Sequence, residues 1–310
     1  MAEIIITEFV DNKTIKNLAR DYEVHFDPTL ADRQENLPIL LKGCRALIVR
    51  NRTQITAEVL DSGPNIEVIG RLGVGLDNID IEACQLRGIE VCPALGANSI
   101  SVAEYTITAM LMLLKRGIFG VTERLMAGEW PRTELMGLEA AGRTFGLIGY
   151  GAISREVAVR AKSLGMTVIA YDPYIEPNSS VWGNTGRTAL DEVIQVSDVI
   201  SCHIPLTSET RHIINKSAIS RMRTGAIIIN ASRGGVVDEK AIIVGLKSGK
   251  LGGAALDVFE REPLDRKTGA EFIKAPNLII TPHVAWATEE AEIKTGEVTV
   301  ANIRRVLDHN

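Results

Sequence analysis

The stretch Gly146–Asp172, GLIGYGAISREVAVRAKSLGMTVIAYD, constrains this chain more than any other. An apolar run, Phe145 to Ile148, ends in Gly149-Tyr150-Gly151-Ala152-Ile153-Ser154. A helix-compatible stretch follows, and a second apolar run, Thr167 to Tyr171, ends on Asp172. The order is strand, glycine-rich turn, helix, strand, carboxylate. Glycines let a backbone approach a pyrophosphate, a helix N-terminus stabilises its charge, and an acid at the second strand's end accepts hydrogen bonds from a ribose diol. Gly149 and Gly151 are therefore candidate phosphate contacts, and Asp172 a candidate ribose contact. Ser154 stands where the G-x-G-x-x-G pattern has its third glycine, a position that asks for a small residue so that helix and strand pack closely. The bland alternative is a structural turn. Asp172, 23 positions after Gly149, favours the dinucleotide reading.

A chain of 310 residues is long for one core and comfortable for two domains. With a net charge of −5 it offers no general nucleic-acid-binding surface, though a local basic cleft for a small anion stays open. Cys44, Cys84, Cys92 and Cys202 have neither C-x-x-C pairing nor zinc-type His spacing, which suggests reduced thiols in a cytoplasmic protein and no metal. The N-terminus reads as a first strand rather than a signal peptide. No apolar run reaches the ~20 residues of a membrane span, so a soluble protein is expected.

Residues 1–98 read as a small α/β unit. Apolar, largely β-branched runs at Ile4–Thr7, Ala46–Val49, Glu67–Ile69 and Ile89–Val91 alternate with helix-compatible segments at Thr14–Arg20, Ala57–Ser62 and Asp80–Arg87. Strand–helix alternation predicts a parallel sheet. Two of its turns stand out. Val49-Arg50-Asn51-Arg52-Thr53 presents two arginines, and Gly70 to Asp77 carries three glycines with Arg71 among them. Both could be plain solvated turns; alternatively, they form an anion site at the carboxyl ends of parallel strands. Ser99–Lys115 predicts one long buried helix leading into the second domain. Gly117–Gly142, with Trp130-Pro131-Arg132, is an aperiodic excursion suited to an active-site flank or an oligomer contact. The rhythm then continues with strands at Val199–Cys202, Ala226–Asn230, Gly253–Asp257 and Leu278–Thr281, and helices at Leu190–Val196, Asn215–Met222 and Asp238–Ser248. Glu289–Leu307 is a terminal helix expected to pack on the first domain. The fold class is α/β with two doubly wound parallel-sheet domains: a Rossmann-type domain over 99–284, and a smaller flavodoxin-like domain over 1–98 and 285–310.

Three residues just after predicted strands form a hydride-transfer set: Arg233, Glu262 and His283. A histidine, with an ordinary pKa of about 6.5, can take or return the proton of a hydroxyl near neutral pH. A carboxylate on its other nitrogen fixes the tautomer, and an arginine fork suits a substrate carboxylate and carbonyl oxygen. Singly, each has a plain reading as a surface charge or turn residue. His25, His212 and His309 lie in polar segments without such context. His203, in Cys202-His203-Ile204-Pro205, ends a strand and suits the cofactor side of a site. A Rossmann-type methyltransferase would explain the glycine turn but leave Glu262 and His283 without roles.

Over nearly its whole length the chain resembles the D-isomer-specific 2-hydroxyacid dehydrogenase family, in particular its phosphoglycerate dehydrogenase branch. The motifs that carry the resemblance are Val49–Thr53, Gly70–Asp80, Ser101–Glu104, Gly149–Val157, Cys202–Thr210, Asn230–Asp238, Gly253–Pro263 and Thr281–Ala287. It implies catalytic roles for Arg233, Glu262 and His283, and cofactor contacts at Val74, Ala152, Ile153, Asp172, Ile204, Ala231 and Asp257. Pro205, beside His203 and Ile204, joins that cofactor set. It also implies that Leu72, Gly73 and Val74 bind the substrate carboxylate through backbone N–H groups. The expected activity is NAD-dependent interconversion of a 2-hydroxy and a 2-keto acid, in a homodimer. Asp172 favours NAD over NADP by repelling a 2′-phosphate. Arg50, Arg52 and Arg71 suggest a second anionic group on the substrate, as in 3-phosphoglycerate or sulfolactate, with neutral hydroxypyruvate or glyoxylate as the alternative. A non-catalytic NAD-sensing corepressor is the rival from another class. Trp286, after the histidine, is expected to narrow the substrate or nicotinamide pocket. The chain ends soon after the closing helix, so a C-terminal regulatory domain is not expected.

Overall fold

The computed structural model describes residues 2–308, so His309 lies outside the described residues. The chain forms two compact units. One takes everything up to Asn98 together with the chain from Ala287 onward, and the other is Ser99–Trp286.

The first unit is built on five parallel strands, β1 (Ile4–Ile6), β2 (Val24–Phe26), β3 (Ala46–Val49), β4 (Val68–Arg71) and β5 (Glu90–Pro93), in the order β2-β1-β3-β4-β5. Every residue of β1, β3 and β4 is buried, as expected when helices cover both faces of a parallel sheet. The Glu289–Leu307 helix supplies one cover. It is capped by Thr288, whose hydroxyl accepts from the Ala291 N–H, and has acids in its first turn and Arg304 and Arg305 in its last. It lies close on β4 because Gly70 has no side chain: a Cβ there would sit 2.9 Å from a methyl of Thr299. The strand Val24–Phe26 is not legible in the patterning; it is a three-residue, half-buried edge strand.

The second unit has seven strands, β6 (Thr144–Ile148), β7 (Thr167–Tyr171), β8 (Gly186–Arg187), β9 (Val199–Cys202), β10 (Ala226–Asn230), β11 (Leu251–Leu256) and β12 (Leu278–Ile280). They are all parallel, in the order β12-β11-β10-β9-β6-β7-β8. The exposed two-residue β8 also escapes the patterning. The Ser99–Leu114 helix buries nine of its residues against this sheet and the Ala152–Ser163 helix. Ala285 and Trp286, read from sequence as part of the other domain, belong here because the Ala285 N–H donates to Asp257 at the end of β11. The excursion 117–142 contains a short helix, Thr122–Met126. It leaves Phe119, Met126, Trp130 and Met136 each at least 66% exposed.

Both sheets are doubly wound. Strand order reverses between β1 and β3 in the first unit and between β6 and β9 in the second, and such reversals open a crevice at the carboxyl ends of the strands.

Candidate active site

The reversal in the second unit places the turn after β6 beside the turn after β9. Gly149 has φ 86°, and a Cβ there would lie 2.5 Å from the His203 carbonyl oxygen and 2.7 Å from an Ile204 methyl, so only glycine fits. Gly151 caps the Ala152–Ser163 helix without a side-chain hydrogen bond. The first N–H groups of that helix, at Ala152 and Ile153, therefore face the turn with no capping side chain, which suits an anion. Ser154 is fully buried, and its hydroxyl donates to the Gly149 carbonyl at 2.6 Å. The residue that breaks the glycine pattern thus ties the turn together. Asp172 accepts the Tyr150 N–H at 2.8 Å and the Tyr174 N–H at 3.0 Å, one on each oxygen, and each oxygen keeps a lone pair for a diol. Tyr150 itself points away, its ring stacked on Trp182 at 5.1 Å.

His203 lies 2.9 Å through Nε2 from the Ser201 hydroxyl. Its Nδ1 is sealed from solvent and meets no hydrogen-bond partner among the described residues. Burial pushes its pKa down to about 4, so the ring is neutral and unsuited to acid–base work near pH 7. An orphaned buried nitrogen beside an uncapped helix start and a carboxylate fits a dinucleotide, which brings hydrogen-bonding groups of its own.

The proposed chemical groups come from three turns of the same unit. Asn230, at the end of β10, accepts the Ser232 N–H at 3.1 Å and hydroxyl at 2.7 Å, and donates to the Arg233 carbonyl at 2.9 Å. This closes the turn that carries Arg233. A Cβ on Gly234 would lie 1.8 Å from the Phe259 carbonyl oxygen, so the Arg233 turn and the turn after β11 meet backbone to backbone. In that second turn Glu262 accepts the Phe259 N–H on Oε1 at 2.9 Å, and its Oε2 is 2.8 Å from His283 Nδ1. Burial pushes the Glu262 carboxyl up, but the His283 and Phe259 hydrogen bonds and the charges of His283 and Arg233 outweigh it, leaving it below the usual carboxylate range. The His283 and Glu262 side chains are 37% and 35% exposed, so the pair is open to a small molecule.

Asp257, matched from sequence to a cofactor position, turns its buried carboxylate toward the histidine loop, where it accepts the Thr281 hydroxyl and the Val284 and Ala285 N–H groups. Trp286, expected as a pocket wall, donates its indole N–H to the His283 carbonyl at 3.1 Å. Sequence reasoning also missed a second histidine–carboxylate pair, His212 Nε2 to Glu260 Oε1 at 3.0 Å. Its partners are 48 positions apart, so only the fold reveals it.

The loops of the first unit bind many of their own polar groups. Glu8, 4% exposed at the end of β1, accepts the N–H groups of Arg50, Arg52 and Thr53 at 2.9–3.2 Å. Arg50 grips both oxygens of Glu292 with one nitrogen at 2.6 and 2.8 Å. Arg52 pairs with Asp32, and both side chains are more than half exposed. Arg71 donates to the Leu72 carbonyl at 2.6 Å. The Leu72 N–H donates to Val49 and the Gly73 N–H to Arg71, each at 2.8 Å. Of the three N–H groups expected to bind a substrate carboxylate, two are therefore already engaged within the fold, and Val74 is left. Glu8 and Glu292 escaped notice in the sequence; Glu8's position directly after a strand was the one available signal.

Fold and turn define a class, a protein that holds a dinucleotide at the reversal of a doubly wound sheet. The model of the NAD-binding domain of D-isomer-specific 2-hydroxyacid dehydrogenases matches residues 108–285. An (S)-sulfolactate dehydrogenase of Chromohalobacter salexigens is 45% identical over 308 residues, 99% of each chain. A D-3-phosphoglycerate dehydrogenase of Methanocaldococcus jannaschii is 41% identical over 310 residues, 99% of this chain and 58% of that one. The structure resembles D-lactate dehydrogenase from Aquifex aeolicus complexed with NAD and lactic acid, with a TM-score of 0.82, 29% identity, and 99% of this chain and 95% of that one covered. The chain belongs to the D-isomer-specific 2-hydroxyacid dehydrogenase family, and it is an NAD-dependent oxidoreductase of 2-hydroxy acids.

Proposed function

We propose that His283, Glu262 and Arg233 carry the reaction of this dehydrogenase, and that its substrate is a 2-hydroxy acid with a second anionic group, a sulfonate or phosphate, interconverted with the 2-keto acid. The observation that carries the first part is the 2.8 Å His283–Glu262 hydrogen bond beside the Arg233 turn. When bound, NAD supplies the acceptor or donor of the hydride. Glu262 holds the tautomer with the proton on Nδ1, so Nε2 of His283 takes the hydroxyl proton in oxidation and returns one in reduction. Arg233 orients the substrate carboxylate and carbonyl oxygen with its planar fork.

Gly149, Gly151, Ala152 and Ile153 hold the pyrophosphate, and Asp172 holds the ribose diol and repels a 2′-phosphate. Val74, His203, Ile204, Pro205 and Ala231 complete the cofactor set, and Asp257 serves it through the histidine loop that its carboxylate holds. Arg50, Arg52 and the loop Leu72-Gly73-Val74, through the Val74 N–H, form the substrate set, which makes 1–98 and 287–310 the substrate domain and 99–286 the NAD domain. Arg52 is the arginine most available for a distal anion, because its partner Asp32 is exposed and such pairs contribute only about 0–1 kcal/mol. The sulfolactate dehydrogenase aligned over 99% of both chains supports a sulfonate.

The protein works in the cytoplasm as a homodimer, a reading supported by its four free buried cysteines and by the exposed apolar side chains of 119–136. Among the described residues no helix is long and apolar enough to cross a membrane. Sedimentation velocity reads the assembly directly, and a monomer at micromolar concentration would refute the dimer.

NADH consumption with a panel of 2-keto acids tests the chemistry. His283→Ala should lose about 10²–10⁴-fold in kcat. Activity untouched by that change would refute the mechanism.

A further inference from the structure

His283 has a backbone φ of 55°, a left-handed conformation that non-glycine residues hold only where their surroundings impose it. The surroundings are identifiable. The His283 N–H donates to the Asp257 carbonyl at 2.8 Å, and its carbonyl accepts the Trp286 indole N–H. The next two N–H groups, of Val284 and Ala285, each donate to the Asp257 carboxylate at 2.8 Å. One more donor reaches that carboxylate, the Thr281 hydroxyl at 2.6 Å, and this hydroxyl lies 2.7 Å from the hydroxyl of Tyr105 on the Ser99–Leu114 helix.

The direction of this chain follows from proton counting. A carboxylate only accepts, and a hydroxyl has one proton. Thr281 spends its proton on Asp257, so Tyr105 is the donor in the contact with Thr281. The relay runs from Tyr105 through Thr281 to Asp257, which receives the histidine loop on its other lone pairs. Tyr105 is mostly buried, and burial first of all, against the opposing Thr281 hydrogen bond, pushes its hydroxyl up to about 12, so it keeps its proton for this role.

We infer that Thr281 and Tyr105 are positioning residues for the acid–base histidine, acting through the Asp257 carboxylate. The inference rests on the reading of His283 as the group that moves the proton. Without the Thr281 hydroxyl the carboxylate is held only by the Val284 and Ala285 N–H groups, its orientation and the left-handed turn loosen together, and the imidazole leaves its productive position. Misplacements of about 1 Å cost on the order of 10²-fold in rate.

The test is steady-state and binding kinetics of Thr281→Val, Thr281→Ser and Tyr105→Phe, with NADH affinity by fluorescence titration and His283→Ala alongside. Thr281→Val should lose roughly 10- to 100-fold in kcat with NADH affinity little changed, and Thr281→Ser should restore kcat to within about 3-fold of wild type. Tyr105→Phe should lose less, and the double variant should be no worse than Thr281→Val, because Tyr105 acts only through that hydroxyl. Equal losses in the Val and Ser variants, a loss confined to NADH affinity, or wild-type kcat in a folded Thr281→Val protein would overturn the inference. Where Thr281→Val does not fold, a folded Tyr105→Phe protein with wild-type kcat does the same. An active His283→Ala protein would remove the histidine reading and this inference with it, whereas an inactive one beside a normal Thr281→Val sinks the brace alone.

Discussion

The two sheets reverse strand order in the same way and use the two reversals differently. In the second unit the crevice turn is bare: Gly149 fits against His203, Gly151 leaves a helix start without a side-chain cap, and Asp172 keeps lone pairs available. In the first unit the equivalent crevice is filled from within. Glu8 takes the N–H groups of the loop after β3, and the two arginines of that loop are paired with Glu292 and Asp32. A bare crevice binds any suitable phosphate through its backbone. A filled one leaves recognition to side chains, which must exchange one carboxylate for another anion. On the roles proposed above, the difference separates a generic cofactor site from a selective substrate site. It also ranks the arginines, because Arg50 and Glu292 are only 12% and 14% exposed and breaking such a pair costs about 3–5 kcal/mol, far more than exchanging the exposed Asp32.

The sharpest way to break this comparison is to crowd the second unit. Gly234→Ala would force a Cβ into the Phe259 carbonyl. The expected outcome is a loss of about 3 kcal/mol or more in denaturant unfolding, with activity on every substrate nearly abolished. A stable, active Gly234→Ala enzyme would contradict the contact between the two turns.

Next in size is Glu262→Gln, expected to cost about 10²-fold in kcat on all substrates alike. Its pH dependence has a defined sign. The folded Glu262 carboxyl lies below its ordinary value, so its stabilisation is fully present above about pH 4.3 and is lost as pH falls through the depressed value. Acid unfolding of the wild type should therefore contain a loss that Glu262→Gln lacks. Superimposable pH profiles would count against the pairing.

Ser154→Gly is the smallest perturbation. It removes a buried hydroxyl bond to Gly149, worth about 1 kcal/mol of stability. NADH affinity should stay within about 2-fold if phosphate binding depends on Gly149, Gly151 and the helix start. A tenfold loss of affinity would make Ser154 part of the binding turn.

How much of this was legible in the sequence depends on the range of the interaction. Periodicity placed the long strands and helices to within two or three residues, because buried parallel strands are continuous apolar runs: β3, β7, β9 and β10 coincide with their predicted bounds. Val24–Phe26 and Gly186–Arg187 were not legible, since short, partly exposed edge strands carry no apolar signature. Arg233, Glu262 and His283 were found by position after strands and by chemical type, and the fold brings their turns together. Partnerships across long sequence distances were beyond reach. Glu292 answers Arg50 from 242 positions away, and Tyr105 reaches Thr281 from 176. The indole partner of Trp286, the His283 carbonyl, was also beyond reach, because sequence position fixes neither its rotamer nor its N–H contact.

The measurement closest to the central claim is the substrate profile of Arg52→Ala set beside that of His283→Ala, as kcat/KM on phosphorylated, sulfonated and neutral 2-keto acids. A charge-assisted contact contributes about 1.5–3 kcal/mol. Arg52→Ala should therefore lose roughly 10- to 100-fold on the dianionic substrates and little on the neutral ones, whereas His283→Ala loses equally on all. Equal losses in Arg52→Ala across the panel, or none, would contradict the assignment of substrate selectivity to the first unit.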